Sequence, residues 1–254
     1  MKKILLSWSS GKDSAWTLHV LRQRGEYDIV GLLTTVNAAA DRVAMHGVRR
    51  ELLEAQASAA GLPRWILPLP WPCSNDDYER VMRSAVDRAV GEGIYGIAFG
   101  DLFLEDVRTY RERQLAGTGL KPIFPIWGMD TAGLAREMIS SGLRARLTCV
   151  DTQALPASFA GREFDEQLLA DLDRITAIDL RVEAPPKGAS TMPRDTSISS
   201  GVQENDKCGE RGEFHTFCYA GPMFSLPIPI SRGEVIVQER FAFADLLLAK
   251  PVIA

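Results

Sequence analysis

The chain is poor in the features that mark several broad protein classes. It has only four cysteines in 254 residues, Cys73, Cys149, Cys208 and Cys218. None forms a CxxC pair, so a disulfide framework is not expected and reduced thiols are. It has no apolar run near the roughly 18 residues that a membrane-spanning helix needs, and no internal repeat is evident. It also lacks a basic excess: 29 Lys and Arg against 33 Asp and Glu give a net charge of −4. Generic binding to a nucleic-acid backbone is therefore disfavoured. The opening Met1-Lys2-Lys3-Ile4-Leu5-Leu6-Ser7-Trp8 imitates a signal peptide, but Ser9 to Asp13 break the apolar run too early. A cytoplasmic location is the resulting expectation.

What is present is a globular composition, 46% hydrophobic and 24% charged, with a length that allows one large domain or two modest ones. Apolar runs alternate with amphipathic stretches: Lys3–Trp8 then Ala15–Arg24, Ile29–Val36 then Gly47–Ala60, Trp65–Leu69 then Asp77–Val90, Ile94–Phe99 then Glu105–Leu115. That rhythm predicts an α/β fold, a parallel sheet with helices on both faces. A helix near Thr131–Ser141 and a strand near Arg146–Val150 are expected to complete the layer. Beyond Asp151 the pattern changes. One helical stretch (Glu163–Arg174) is followed by a Pro/Ser/Gly-rich segment at about 184–206, read as a mobile loop. Short β-like runs follow at Phe214–Tyr219, Met223–Ile230, Glu234–Glu239 and Phe241–Ala244. The expected division is an α/β domain at 1–151 and a smaller α+β region at 152–254.

The most informative stretch is Ser9-Ser10-Gly11-Lys12-Asp13-Ser14. It lies where the first strand hands over to the first helix, so unpaired backbone N–H groups and the positive helix end face whatever binds there. Gly11 allows close approach, the serines add hydroxyls and Lys12 adds charge. A plain helix cap would account for Asp13 or Ser10 but not for the whole cluster, and the spacing is not that of a Walker P-loop.

Ser-Ser-Gly-Lys-Asp-Ser is similar to the SGGxDS signature of PP-loop ATP pyrophosphatases, with Ser10 in place of a glycine. Further blocks extend the likeness: Met45-His46-Gly47-Val48, Phe99-Gly100-Asp101-Leu102, Arg108-Thr109-Tyr110-Arg111-Glu112, Pro122 to Gly128, Cys208-Gly209-Glu210-Arg211-Gly212-Glu213-Phe214-His215-Thr216-Phe217, Tyr219 to Phe224, and Phe241 to Asp245. Along most of its length the chain resembles the diphthine–ammonia ligase family. The resemblance implies a Rossmann-like (HUP-type) fold and an ATP-dependent, amide-forming ligase that adenylates a carboxylate and amidates it with ammonia, releasing AMP and pyrophosphate.

In that reading Ser9, Ser10, Gly11, Lys12, Asp13 and Ser14 surround the phosphates of ATP, and Thr34 and Thr35 face the adenine. His46 and Gly100 join the nucleotide site, and Asp13 and Asp101 hold Mg2+. Lys12 stabilises the departing pyrophosphate. The segment Cys208, Gly209, Glu210, Glu213, His215 and Thr216 wraps the acceptor, with Glu210 or Glu213 deprotonating the nitrogen nucleophile or orienting the carboxylate. The partners so implied are ATP, ammonia and an acceptor carboxylate on a protein or small molecule, and a homodimer is compatible with the sequence. Two alternatives stay open: another PP-loop enzyme acting on a metabolite or RNA, and a non-catalytic ATP or AMP sensor. Cys208, His215 and Cys218 fit no common zinc spacing. Ser10 is expected to cost little if its φ is negative, and Thr176–Asp206 stands out as an enlarged connection. The loop from Ala184 is expected to act as a lid.

Overall fold

The computed structural model describes residues 1–175 and 205–249. The loop expected at 184–206 lies outside them except for Asn205 and Asp206.

The first layer is a six-stranded sheet. Strand β1 (Lys2–Ser7) is central, with β2 (Tyr27–Asn37) and β5 (Gly96–Ala98) parallel to it on either side. Beyond β2 lies β4 (Arg64–Leu69), also parallel, and beyond β5 lies β6 (Lys121–Ile123). Ile4, Leu5 and Leu6 of β1 are all fully buried, as expected of a strand covered on both faces. Helices α1 (Lys12–Arg24), α2 (Arg50–Ala60), α3 (Asn75–Gly91) and α4 (Glu105–Leu115) connect these strands. Both α1 and α2 stop at a glycine in the left-handed region, Gly25 and Gly61.

Short β3 (Arg42–Val43) pairs antiparallel with Val36 and Asn37 of β2, residues that also pair with β4. It must therefore occupy the edge of β2 that β1 leaves vacant beyond Ser7. The turn that follows β3, carrying His46, is thereby brought over the end of β1.

The strand expected to complete this parallel layer does not. Helix α5 (Thr131–Ser140) leads to β7 (Arg144–Asp151), which belongs to a second, antiparallel sheet of order β8-β7-β10-β9. Its other strands are β8 (Phe214–Ala220), β9 (Ile230–Gln238) and β10 (Phe241–Leu248), and α6 (Glu166–Arg174) packs beside it through Leu168, Leu169 and Leu172. A further correction concerns Met223–Ile230, read as a strand. Met223–Pro229 forms turns and irregular chain, because Pro227 and Pro229 donate no ladder hydrogen bond.

The two sheets share one core cluster that includes Leu6, Trp8, Phe164, Phe214 and Phe217. Polar contacts join them as well. Asp245 of β10 accepts from Arg42 at 2.9 Å and from Arg49 at 2.6 Å, and Arg42 also donates to the Gly47 carbonyl at 2.7 Å. The turn carrying His46 is thus tied down by the second sheet.

Candidate active site

The chain leaves β1 at Ser7, turns through Ser9, Ser10 and Gly11, and enters α1 at Lys12. Gly11 is the N-cap and offers no side chain for capping. Instead the Thr216 hydroxyl, from β8, accepts the Lys12 backbone N–H at 3.0 Å. Ser14 Oγ donates to the Gly11 carbonyl at 3.0 Å, and Ser9 Oγ lies 3.3 Å from Ser14 Oγ. A Cβ on Gly11 would lie 3.0 Å from the His46 ring, and one on Gly100 would lie 3.1 Å from the Asp13 carbonyl. The turn after β3 and the end of β5 therefore close on the loop from either side.

Ser10 departs from expectation. Its φ is +70°, the left-handed region that a Cβ penalises. Its carbonyl explains the geometry: it accepts from the Cys218 N–H and from Gln56 Nε2, both at 2.9 Å. Gln56 is fully buried, and its Oε1 accepts from Trp8 Nε1 at 3.0 Å. The Ser10 hydroxyl is buried without a hydrogen-bond partner.

A cavity of about 580 Å³ opens at the carboxyl ends of β1, β2, β4 and β5, where open α/β sheets bind ligands. Ser9, Lys12, Asp13, Ser14, Thr35 and His46 line one part, and Gly100, Asp101, Gly209, Glu210, His215 and Thr216 line another. Five expected residues do not line it. Ser10 and Gly11 form the turn behind it, and Thr34 is buried on the face of β2 opposite Leu33 and Thr35. Cys208 is buried with its thiol toward the Thr131 carbonyl, and Glu213 is folded into its own loop.

Glu213 holds the 206–213 turn together, its two oxygens accepting from the Asp206 and Arg211 N–H groups, both at 3.0 Å. Both oxygens are thus engaged by backbone, whereas Glu210 faces the cavity and accepts from the Leu102 N–H at 2.8 Å. Burial, reinforced by Asp13 and Asp101 against the pull of the Leu102 N–H, lifts the Glu210 carboxyl to about 8.

Lys12 is tightly held. Its Nζ donates to both Asp13 oxygens at 2.9 and 2.8 Å and to the Cys208 carbonyl. It also lies 5.4 Å from the ring centroids of Phe164 and Phe214. Burial opposes its charge, but Asp13, together with Cys208 and Asp206, more than offsets that and keeps its pKa above the ordinary value. Asp101 is pushed up by burial, which Arg111 opposes and Asp13 reinforces. Its Oδ2 is buried without a hydrogen bond, with Arg111 Nε at 3.6 Å.

The imidazoles of His46 and His215 stand 4.6 Å apart. His46 Nδ1 lies 3.1 Å from the Thr216 carbonyl, so it donates there and leaves Nε2 as an acceptor. Burial, with the neighbouring imidazole and Lys12, lowers His46 to about 3, and burial with Lys12 lowers His215 to about 4. Both are neutral near pH 7. Burial pushes the Cys208 and Cys218 thiols up, which makes them poor nucleophiles. Among the described residues no three His, Cys, Asp or Glu side chains are grouped to hold a metal ion.

A parallel α/β sheet with a polar cavity at its carboxyl edge, closed on one side by an antiparallel sheet, defines the class of protein. Residues 1–122 match the family model described as diphthamide synthase N-terminal domain. A diphthine–ammonia ligase of Danio rerio is 26% identical over 255 residues, covering 94% of this chain and 90% of that protein. Those of Homo sapiens and Bos taurus are each 25% identical, over 68% and 70% of this chain. The chain spans 56% and 58% of the length of these two relatives. Over most of its length the chain is similar to these diphthine–ammonia ligases.

Proposed function

We propose that this protein is an ATP-dependent ligase that joins ammonia to the carboxylate of diphthine or a diphthine-like acceptor, releasing AMP and pyrophosphate. One observation carries the reading: a single cavity joins the amino end of α1, a receptor for phosphate, to a buried carboxyl, Glu210, that changes protonation near neutral pH.

The first step forms a bond between an acceptor carboxylate oxygen and the α-phosphorus as the bond to pyrophosphate breaks. In the second, ammonia attacks the acyl carbon, AMP leaves, and the nitrogen loses a proton. The α1 amides and the Ser9 and Ser14 hydroxyls orient the phosphates, and positioning supplies much of the rate. Lys12, fixed by Asp13 and Cys208, contributes a stationary positive charge where negative charge grows on the leaving group. Glu210 takes the proton from nitrogen, a role suited to a carboxyl lifted toward neutrality.

Mg2+ suits two nearby carboxylates plus phosphate oxygens. Asp13 and Asp101 fit that requirement: Asp13 raises the cost of ionising Asp101, and Asp101 has a buried oxygen with no hydrogen bond. These two would hold the ion, which supplies charge neutralisation on the phosphates.

The test is product analysis with ATP, ammonium and a diphthine-bearing peptide. The expected result is AMP, pyrophosphate and carboxamide in equal amounts, each requiring both co-substrates. Formation of ADP and phosphate, or binding without turnover, contradicts the proposal.

A further inference from the structure

Arg111 takes no part in the chemistry proposed above, and the cavity gives it a role. Among the described residues, Lys12 and Arg111 are the cavity's only lysine or arginine side chains. Lys12 has its ammonium committed to Asp13 and the Cys208 carbonyl. Arg111 is different. Its closest polar contact is Asp101 Oδ2 at 3.6 Å, too long for a hydrogen bond, and its Nε is buried with no hydrogen-bond partner. The guanidinium carbon lies 5.1 Å from the Phe99 ring centroid, a cation–π contact that restrains its donor fork.

The surroundings narrow what the fork receives. Asp13 and Asp101 place carboxylates in the cavity wall, so a carboxylate entering it needs a cation to offset the repulsion. The phosphates have their own receptor in the amino end of α1 with Ser9 and Ser14. Beside Arg111 the wall is apolar, formed by Leu104, Val107 and Phe99, which suits the hydrocarbon portion of an organic acid and not a polyphosphate. A guanidinium matches the two oxygens of a carboxylate in a bidentate pair.

Building on the proposed function, we infer that Arg111 is the receptor for the acceptor's carboxylate, and so a specificity-determining residue that separates the carboxylate substrate from the carboxamide product. The carboxylate presents two anionic acceptors to the fork, whereas the carboxamide offers one neutral acceptor and an NH2 that opposes the guanidinium donors. Amidation therefore weakens the hold on the product.

The test is equilibrium binding of two peptides, one bearing diphthine and the other its carboxamide, to wild type, Arg111→Gln and Arg111→Lys. A non-cleavable α,β-methylene ATP analogue is titrated in parallel. Wild type is expected to prefer the carboxylate peptide about tenfold, the gain typical of one charge-assisted contact. Arg111→Gln abolishes the preference, Arg111→Lys retains part of it, and analogue affinity stays within about twofold in both. The inference is overturned if wild type does not bind the carboxylate peptide, if the preference survives in Arg111→Gln, or if Arg111→Gln loses analogue affinity instead. Absence of analogue binding by wild type counts against the proposed function, while the peptide preference still reports on Arg111.

Discussion

The Thr216 hydroxyl accepts the Lys12 backbone N–H at 3.0 Å, so the first turn of α1 is capped by a residue 204 positions further along the chain. The same Thr216 passes its carbonyl to His46. The turn between β1 and α1 is therefore not complete within the N-terminal sheet. Its cap, and the orientation of the imidazole above it, come from β8.

Replacing Thr216 by Val keeps the shape and removes the acceptor. The buried Lys12 N–H is then unsatisfied, at a cost of about 1–3 kcal/mol. Urea denaturation of Thr216→Val measures the loss, and an unchanged midpoint would remove Thr216 from its capping role.

Ser10→Gly moves in the other direction. With φ at +70°, loss of the Cβ relieves about 1 kcal/mol of backbone strain, less the entropy that glycine costs in the unfolded chain. The expected net effect is a modest rise in thermal midpoint with nucleotide affinity retained. A lower midpoint would mean that the buried Ser10 hydroxyl makes a contribution larger than the strain.

The histidine pair gives stability a pH dependence of definite sign. His46 and His215 titrate at about 3 and about 4 in the folded chain, below the ordinary value of about 6.5. The unfolded chain thus binds protons that the folded one refuses. Their contribution is whole above pH 6.5 and is lost as pH falls from there toward 4. Glu210, lifted to about 8, has the opposite slope, favouring the folded state less as pH rises between about 4.5 and 8. Comparing urea midpoints of wild type and the double variant His46→Gln, His215→Gln at pH 7.5, 6 and 5 isolates the first term. The difference between the two proteins is expected to shrink or reverse toward pH 5, and a constant difference would contradict it.

Glu210→Gln preserves an oxygen for the Leu102 N–H but cannot take a proton. The rate at saturating substrates is expected to fall about 10²–10⁴-fold, and the rise of rate through pH 8 in the wild type is expected to vanish. A variant with normal rate and an unaltered profile would assign the proton transfer elsewhere.

The β1–loop–α1 unit was legible in the sequence because an apolar run, a polar Gly/Ser turn and a helical period follow one another without interruption. The partner of β7 was not. Arg144–Asp151 reads as a strand from its own residues, but which sheet it joins depends on β8 and β10, about 70 and 90 residues later. Likewise, Glu210 and Glu213 are equivalent in a glycine-spaced loop until folding turns one to the cavity and engages the other with backbone N–H groups. Thr34 and Thr35 are adjacent, and only the strand's pleat decides which faces the cavity. Arg111 stood inside a recognisable block, but its distinguishing property, a buried Nε without a hydrogen bond beside Asp101, exists only in three dimensions. The left-handed backbone at Ser10 is likewise imposed by Gln56 and Cys218, both distant in sequence.

Isotope transfer tests the central claim most directly. With both carboxylate oxygens of the acceptor labelled as 18O, adenylation followed by attack of ammonia places one 18O in the phosphate of AMP. The predicted result is singly labelled AMP in proportion to the amide formed; unlabelled AMP, or no AMP at all, would contradict the account.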